Sequence, residues 1–187
     1  MNYNFVHVSS FVDDNVVIGK GTEILNFCHM QEGCRVGDNC SFDHYVVIGK
    51  NVQVGNECTI QSGVSVPEGV TLEEGVYLGS SMVFTNDRIP RGRTTKGHQV
   101  YKDTIVGEGA TVGANATIVC GNDIGKFAMI AAGAVVLQPV KNHALMAGVP
   151  AKKIGWVCEC GEILHNGLDC IKCGEKYREV NGDLERI

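Results

Sequence analysis

No run of apolar residues in this chain approaches the ~18 needed to cross a bilayer, so membrane insertion is not expected. Charge of one sign is also missing. In 187 residues, 16 Lys and Arg stand against 21 Asp and Glu, a formal charge of −5, and no basic stripe gathers anywhere. Nucleic acid is therefore not an expected partner. The stretch Met1 to Val8 has no basic segment followed by a hydrophobic core, which points to the cytoplasm.

What the chain does have is a period of six. An aliphatic, Met or Phe residue recurs as Val6, Val12, Ile18, Ile24, Met30, Val36, Phe42, Ile48, Val54, Ile60, Val66, Leu72, Leu78 and Phe84. The series resumes in a new frame as Val106, Val112, Ile118, Ile124, Ile130 and Val136. Six suits neither an amphipathic helix nor a hairpin sheet; it suits a short strand, a corner and a repeat. Three hexads close a triangular coil, so the expected fold is an all-β parallel β-helix. Two residues before each anchor, on the same face, stand small or β-branched residues such as Thr22, Cys28, Val46, Cys58, Val64 and Ala128. A narrow interior holds these beside the large anchor. Glycine often follows the anchor, as at Gly37, Gly79 and Gly113, where a sharp turn or positive φ is expected.

The repeat breaks between Phe84 and Val106, so residues 86–103 are expected to leave the coils as a polar, basic loop. Loops of this length tend to carry function; the alternative is a solvent excursion. The expected division is a β-helix over residues 1–137, a cap over 138–156 closing the open end, and a separate tail over 157–187.

Four of the nine cysteines, Cys28, Cys34, Cys40 and Cys58, occupy the small inward column and are read as reduced packing residues. Another four, Cys158, Cys160, Cys170 and Cys173, form two close pairs in the tail, C-x-C and C-x-x-C. Such a set resembles a zinc ribbon with four thiolates around a structural metal. A disordered reduced tail or a redox pair remains as the alternative.

The hexads, the loop and the GVPAKKIG segment resemble the left-handed β-helix acyltransferases; handedness follows from that resemblance alone. FTND at Phe84 to Asp87, PRG at Pro90 to Gly92, TIVCG at Thr117 to Gly121 and GWVCECG at Gly155 to Gly161 resemble bacterial nucleotide-sugar N-acetyltransferases. Among these the chain is most similar to enzymes acetylating the 3-amino group of UDP-2-acetamido-3-amino-2,3-dideoxyglucuronate for surface polysaccharide such as lipopolysaccharide O-antigen. The resemblance implies an acetyl-CoA-dependent homotrimer with each active site between two chains. It places the CoA arm along Gly113, Ala114, Ala131 and Ala132, with Lys152 and Lys153 meeting CoA phosphates. The bland reading is that the alanines pack a corner and the lysines are solvated.

The implied reaction is attack of a sugar amine on a thioester carbonyl. Amines flanked by electronegative groups have a useful neutral fraction at cellular pH, so orientation and oxyanion donors could supply most of the acceleration. Asn86 is then the first catalytic candidate, its carboxamide oxygen aiming the amine lone pair. Asp87 and Arg91 would hold the substrate, and an Asx turn is the alternative role for Asn86. Of the histidines, His29 is carried as a catalytic candidate, His44 lies at a corner beside Asn26, Ser62 and Ser80, and His98 falls in the loop. No close histidine pair lies within the coils, against a three-histidine carbonic anhydrase. The rival readings are another UDP- or dTDP-linked amino-dideoxyhexose, or a non-catalytic trimeric scaffold presenting the zinc ribbon.

Overall fold

The computed structural model describes residues 4–92, 101–165 and 167–187. Part of the expected loop 86–103, with His98, lies outside the described residues. The hexads become two- and three-residue strands, β1 (Phe5–Val6) to β19 (Val135–Val136) in chain order, stacked in three walls. The first wall begins with Phe5–Val6, Glu23–Ile24, Ser41–Phe42 and Thr59–Ile60, then adds Tyr77–Leu78, Thr111–Val112 and Met129–Ile130. The second runs from Phe11–Val12 through His29–Met30, Val47–Ile48, Ser65–Val66, Val83–Phe84 and Thr117–Ile118 to Val135–Val136. The third runs from Val17–Ile18 to Thr104–Val106 and is extended by single bridges at Ile124 and Val140. Pairing within the walls is parallel, each residue bonding to the one a full coil on.

The anchors fill the interior. Ile24, Met30, Phe42, Ile48, Ile60, Leu78, Ile118 and Ile130 are buried, with Cys28, Cys34, Cys40 and Cys58 in the small column between them. All nine cysteines are free thiols. The Cys58 sulfur lies 3.1 Å from the Glu73 carbonyl, so these thiols fill space and meet backbone oxygens.

The glycine after the anchor serves a different purpose from the one expected. A Cβ at Gly79 would stand 2.6 Å from the Ala114 amide, and one at Gly113 would stand 2.5 Å from the Ala132 amide. Neither has a positive φ. Their role is to let the next coil come close. The left-handed corners lie two residues further on, at Gly21, Gly33, Asn39, Asn51, Gly63 and Asn115 among others. Glycine and Asn suit that region because they adopt it at low cost.

The cap is itself a strand pair. β20 (Ala144–Ala147) adds to the first wall in parallel beside Met129–Ile130, and β21 (Lys152–Val157) returns antiparallel on β20. The turn between them holds a cis peptide at Val149–Pro150. β21 crosses the boundary expected between residues 156 and 157 and pairs with β22 (Ile163–Leu164). β23 (Tyr177–Val180) and β24 (Asp183–Arg186) form a closing hairpin. Trp156, Leu164, Tyr177 and Leu184 join the same buried cluster as the coils. No helix is long and apolar enough to cross a membrane among the described residues.

Candidate functional site

The register of the first wall assembles a row that runs along one corner of the prism. Val112 pairs with Ile130 and Ile130 with Met146, so the residues that follow, Gly113, Ala131 and Ala147, lie side by side. Ala147 then pairs with Lys152. In the other direction Leu78 lies beside Ile60 and Ile60 beside Phe42, which continues the row to Gly79, Gln61 and Asp43. Ala114 and Ala132 form the next column along, one coil apart, the Gly133 amide donating to the Ala114 carbonyl at 2.9 Å. Gly113, Ala131 and Ala147 are half-buried, so this part of the row leaves room for a long flexible ligand, whereas Gly79 is buried. Close coil packing also demands the glycines, so space for a ligand and space for the next coil have the same cause.

The two lysines differ. Lys152 is exposed at the end of the row. Lys153 turns toward the tail, its Nζ 3.5 Å from the centroid of the Trp156 ring and 4.0 Å from a Glu179 carboxylate oxygen. An ammonium over an indole face is held electrostatically by the ring. Trp156 Nε1 donates to Glu179 at 3.1 Å, which ties the cap to the closing hairpin.

At its other end the row meets polar groups. Asp43 accepts from the Ser62 hydroxyl at 2.6 Å and from the His44 amide at 2.9 Å, with His44 Nε2 at 3.3 Å. The Ser62 hydrogen bond, followed by the His44 amide and imidazole, outweighs burial and holds the Asp43 carboxyl below the usual carboxylate range. Asn26 Nδ2 lies 3.0 Å from His7 Nδ1, and Ser80 donates to Gln61 at 3.1 Å. Spacing puts His44, Asn26, Ser62 and Ser80 in one column, but the pairing of Asp43 with Ser62 carries little sequence signal, since the members are spread over five coils and bond to residues 19 apart.

Asn86 stands at the opposite edge of the second wall. It lines a cleft of about 370 Å³ with Gln31, Lys50, Ser65, Glu68 and Tyr101. Tyr101 had no role in the sequence reading; being near the far end of the loop, it gave no periodic signal. The Asx turn falls one residue later than considered, on Asp87, whose Oδ1 accepts from the Ile89 amide at 2.7 Å. The side chain of Asn86 has no part in that turn. Arg91 is exposed and donates to the Pro90 carbonyl at 2.9 Å.

His29 points outward, half-exposed, with Nε2 2.8 Å from Asp13 Oδ1. It adjoins the cleft that Asn86 lines, since Val47, its strand partner, and Gln31, two residues on, belong to that lining. Val83, three residues before Asn86, reaches His29 through Ser65 and Val47, three strand spacings or about 14 Å along the axis. Within one chain, the Asn86 cleft and the Gly113 row lie at opposite edges of the second wall.

The tail cysteines do converge. The sulfurs of Cys158, Cys160, Cys170 and Cys173 all lie within 4.8 Å of one another, with Cys158 to Cys173 at 3.4 Å and Cys160 to Cys170 at 3.5 Å. A tetrahedron of four thiolates with Zn–S of about 2.3 Å has edges of about 3.8 Å, so this set fits zinc. Burial opposes ionisation of Cys170, but amide donors from Cys173 and Lys172 and the neighbouring thiols bring it down to about 6. Thiolate is the form a metal takes.

The coils match a known repeat. The signature described as bacterial transferase hexapeptide (six repeats) matches residues 15–50 and 33–68, and the hexapeptide repeat of succinyl-transferase matches residues 103–138. The coils carry the hexapeptide repeat over residues 15–68 and 103–138. Among curated proteins, this hexapeptide-repeat chain is 40% identical over 87 residues to a dTDP-3-amino-3,6-dideoxy-alpha-D-galactopyranose 3-N-acetyltransferase of Aneurinibacillus thermoaerophilus. That match covers 45% of each chain, so the repeat protein spans less than half the length of this relative. Serine acetyltransferase 4 of Arabidopsis thaliana is 50% identical over 54 residues, 29% of this chain and 15% of the relative. Among solved structures, WeeI from Acinetobacter baumannii AYE superposes with a TM-score of 0.53 at 19% identity, over 80% of this chain and 57% of that one. At that identity the likeness establishes the fold.

Proposed function

We propose that this chain transfers the acetyl group of acetyl-CoA to the amino group of a nucleotide-linked sugar. The observation that carries the reading is the row Gly113, Ala131, Ala147 and Lys152, a strip of small residues ending in an exposed cation. It accommodates a pantetheine arm along backbone amides and a phosphate at Lys152. Lys153, held by Trp156 and Glu179, contributes to this end by fixing β21. The relative from A. thermoaerophilus, named for acetylation of a 3-amino sugar, supports a 3-amino acceptor. We take UDP-2-acetamido-3-amino-2,3-dideoxyglucuronate as that acceptor, in the making of surface polysaccharide in the cytoplasm.

In this reading Asn86 orients the amine, with Asp87 and Arg91 toward the sugar and its phosphates. A neutral amine attacks the thioester carbon, the C–S bond breaks, and the amine proton leaves with the CoA thiol. Asn86 and the small-residue row lie at opposite edges of the second wall, so one chain cannot bring them together. A side-by-side homotrimer supplies Asn86 from a neighbour. The outward positions of that wall, Phe11, His29, Val47, Ser65, Val83, Thr117 and Val135, include no Asp, Glu, Lys or Arg, which suits association. His29 then belongs to this contact surface or to the site it completes. The four tail thiolates hold a structural zinc, leaving no open position for catalysis.

Release of CoA thiol from acetyl-CoA, measured with UDP- and dTDP-linked amino sugars including the 3-amino glucuronate, tests the reading. Turnover with one sugar supports class and substrate together. Binding of acetyl-CoA without turnover overturns the acceptor, and failure to bind acetyl-CoA leaves the scaffold reading.

A further inference from the structure

Two aromatic pairs sit at left-handed corners of the coils, where a bulky side chain is an outlier. The first is Phe127 with His143, at φ of 55° and 59° and ring centroids 5.2 Å apart. Its column otherwise holds Gly21, Asn39, Glu57, Gly75 and Gly109, also at positive φ. A third ring covers it: Tyr177 of the tail lies 5.4 Å from His143. Here the aromatics at the corner make the seat on which another ring docks.

The second pair is Phe27 with Tyr45, both at φ 61°, stacked at 5.2 Å with planes 14° apart. The same column continues with Gly63, Ser81, Asn115 and Gly133, the small or polar residues such a corner favours. Phe27 is 53% and Tyr45 62% exposed. Backbone strain kept at two consecutive coils, for rings left in water, calls for an occupant. The surroundings define its chemistry. Asn26 and His44 are the residues immediately before the two rings, with Asp43 and Ser62 beside them. Exposed Val8 and Phe11 lead from this corner to the second wall, where copies meet in the proposed trimer, but the two rings themselves are edged by polar groups, as a base requires. The column also lies beside the row that runs through Asp43, Gln61 and Gly79 to Gly113, so a molecule seated here extends toward the proposed acetyl donor.

We propose that the stacked Phe27–Tyr45 pair is the seat for the heterocyclic base of the acceptor nucleotide, with Asn26 and His44 presenting hydrogen-bonding groups to its edge. The proposal rests on the acetyltransferase reading and deepens it. The nucleotide enters from the N-terminal end of the corner and CoA from the cap end, so the two substrates meet between Gln61 and Gly79.

The test uses the full chain and UDP, dTDP and GDP as probes, with acetyl-CoA titrated separately by calorimetry. The variants are Phe27→Ser and Tyr45→Asn, which place at φ 61° the residue types this column already holds at Ser81 and Asn115. Stacking on a base predicts about ten- to hundredfold weaker binding of the preferred nucleotide in the double variant. Acetyl-CoA affinity and oligomeric state stay unchanged, and thermal stability is unchanged or higher because the strain is relieved. Unchanged nucleotide affinity overturns the proposal. A variant that dissociates in light scattering overturns it in favour of an interface between copies. If the parent protein binds acetyl-CoA but none of the three nucleotides, the acceptor reading and this seat fall together, while the acetyltransferase class stands.

Discussion

The two ends of the β-helix repeat the same hexad and are built differently. At the C-terminal end Ile130 and Val136 are at most 1% exposed, because β20, β21 and the tail cover the last coil. At the N-terminal end Val6 and Val12 hold the same inward position but are 37% and 42% exposed. A coil covers only its neighbour, so the repeat determines where a side chain points while the next coil determines whether it is buried. The terminal coil therefore gains about half the burial of an internal one, and an end cap supplies the remainder.

The largest break in this comparison comes from removing the cap's support. Cys170→Ser deletes one of four thiolates, and a three-sulfur site holds zinc far more weakly. Bound zinc should fall from one to near none by elemental analysis. Amide exchange should rise through β21 to β24 while the inner coils keep their protection, because metal binding is most of the folding energy of so small a unit. Chelation of the parent protein should produce the same exchange pattern. Full protection of the tail without metal would show that Trp156, Tyr177 and Leu184 suffice to hold it.

A smaller effect separates the ends directly. Val136→Ala and Val12→Ala remove the same two methyl groups from the same wall. The first should cost about 2–3 kcal/mol and the second less than about 1 kcal/mol in denaturant unfolding, since transfer and cavity terms apply fully only at the buried site. Equal costs would mean that the N-terminal coil is covered in solution.

The contrast also explains what the sequence disclosed. Anchors such as Ile48 and Leu78 and fillers such as Cys58 were legible because a period of six leaves little freedom once three walls close. The row Gly113 to Ala131 was legible for the same reason, being one corner position read a coil apart. Beyond residue 137 the period stops; the paired cysteines of the tail remained legible by their spacing, but the strand pairing did not. That Ala147 and Lys152 extend the row, and that Lys153 is engaged by Trp156, depends on an antiparallel return that no hexad announces. The Asp43 and Ser62 cluster joins residues 19 apart whose types vary from coil to coil. The distinction between Gly79, needed for close approach, and Gly63, needed for φ, is invisible in composition because one residue meets both demands.

The aromatic pairs repeat the comparison on a smaller scale, one covered and one open. Phe127→Ala should cost about 1–2 kcal/mol, because it removes a stack that carries the tail's Tyr177. Phe27→Ser should cost nothing or stabilise, since it exchanges an exposed ring in a strained corner for a small residue. Thermal melts of the two variants should therefore move in opposite directions or differ by several degrees. A comparable loss in both would show that the Phe27 stack is structural.

The smallest effect concerns Asp13 and Asp43, one near the open end and one inside the coils. Both carboxyls are held below the ordinary range, Asp13 first by its hydrogen bond to His29 and Asp43 first by that to Ser62. A folded-state value below the unfolded one gives stability that is present above the ordinary carboxylate pKa of about 3.9 and is lost as pH falls through the folded value. Ser62→Ala should thus lower stability at neutral pH by less than about 1 kcal/mol, given that Asp43 is partly exposed. The difference from the parent should close as pH drops below the carboxylate range. In the same variant the Asp43 carboxyl, followed by carbon-detected NMR, should titrate at higher pH while Asp13 stays in place. An Asp43 titration that does not move would leave the His44 amide and imidazole as its support, and would free Ser62 to meet a ligand at the end of the row.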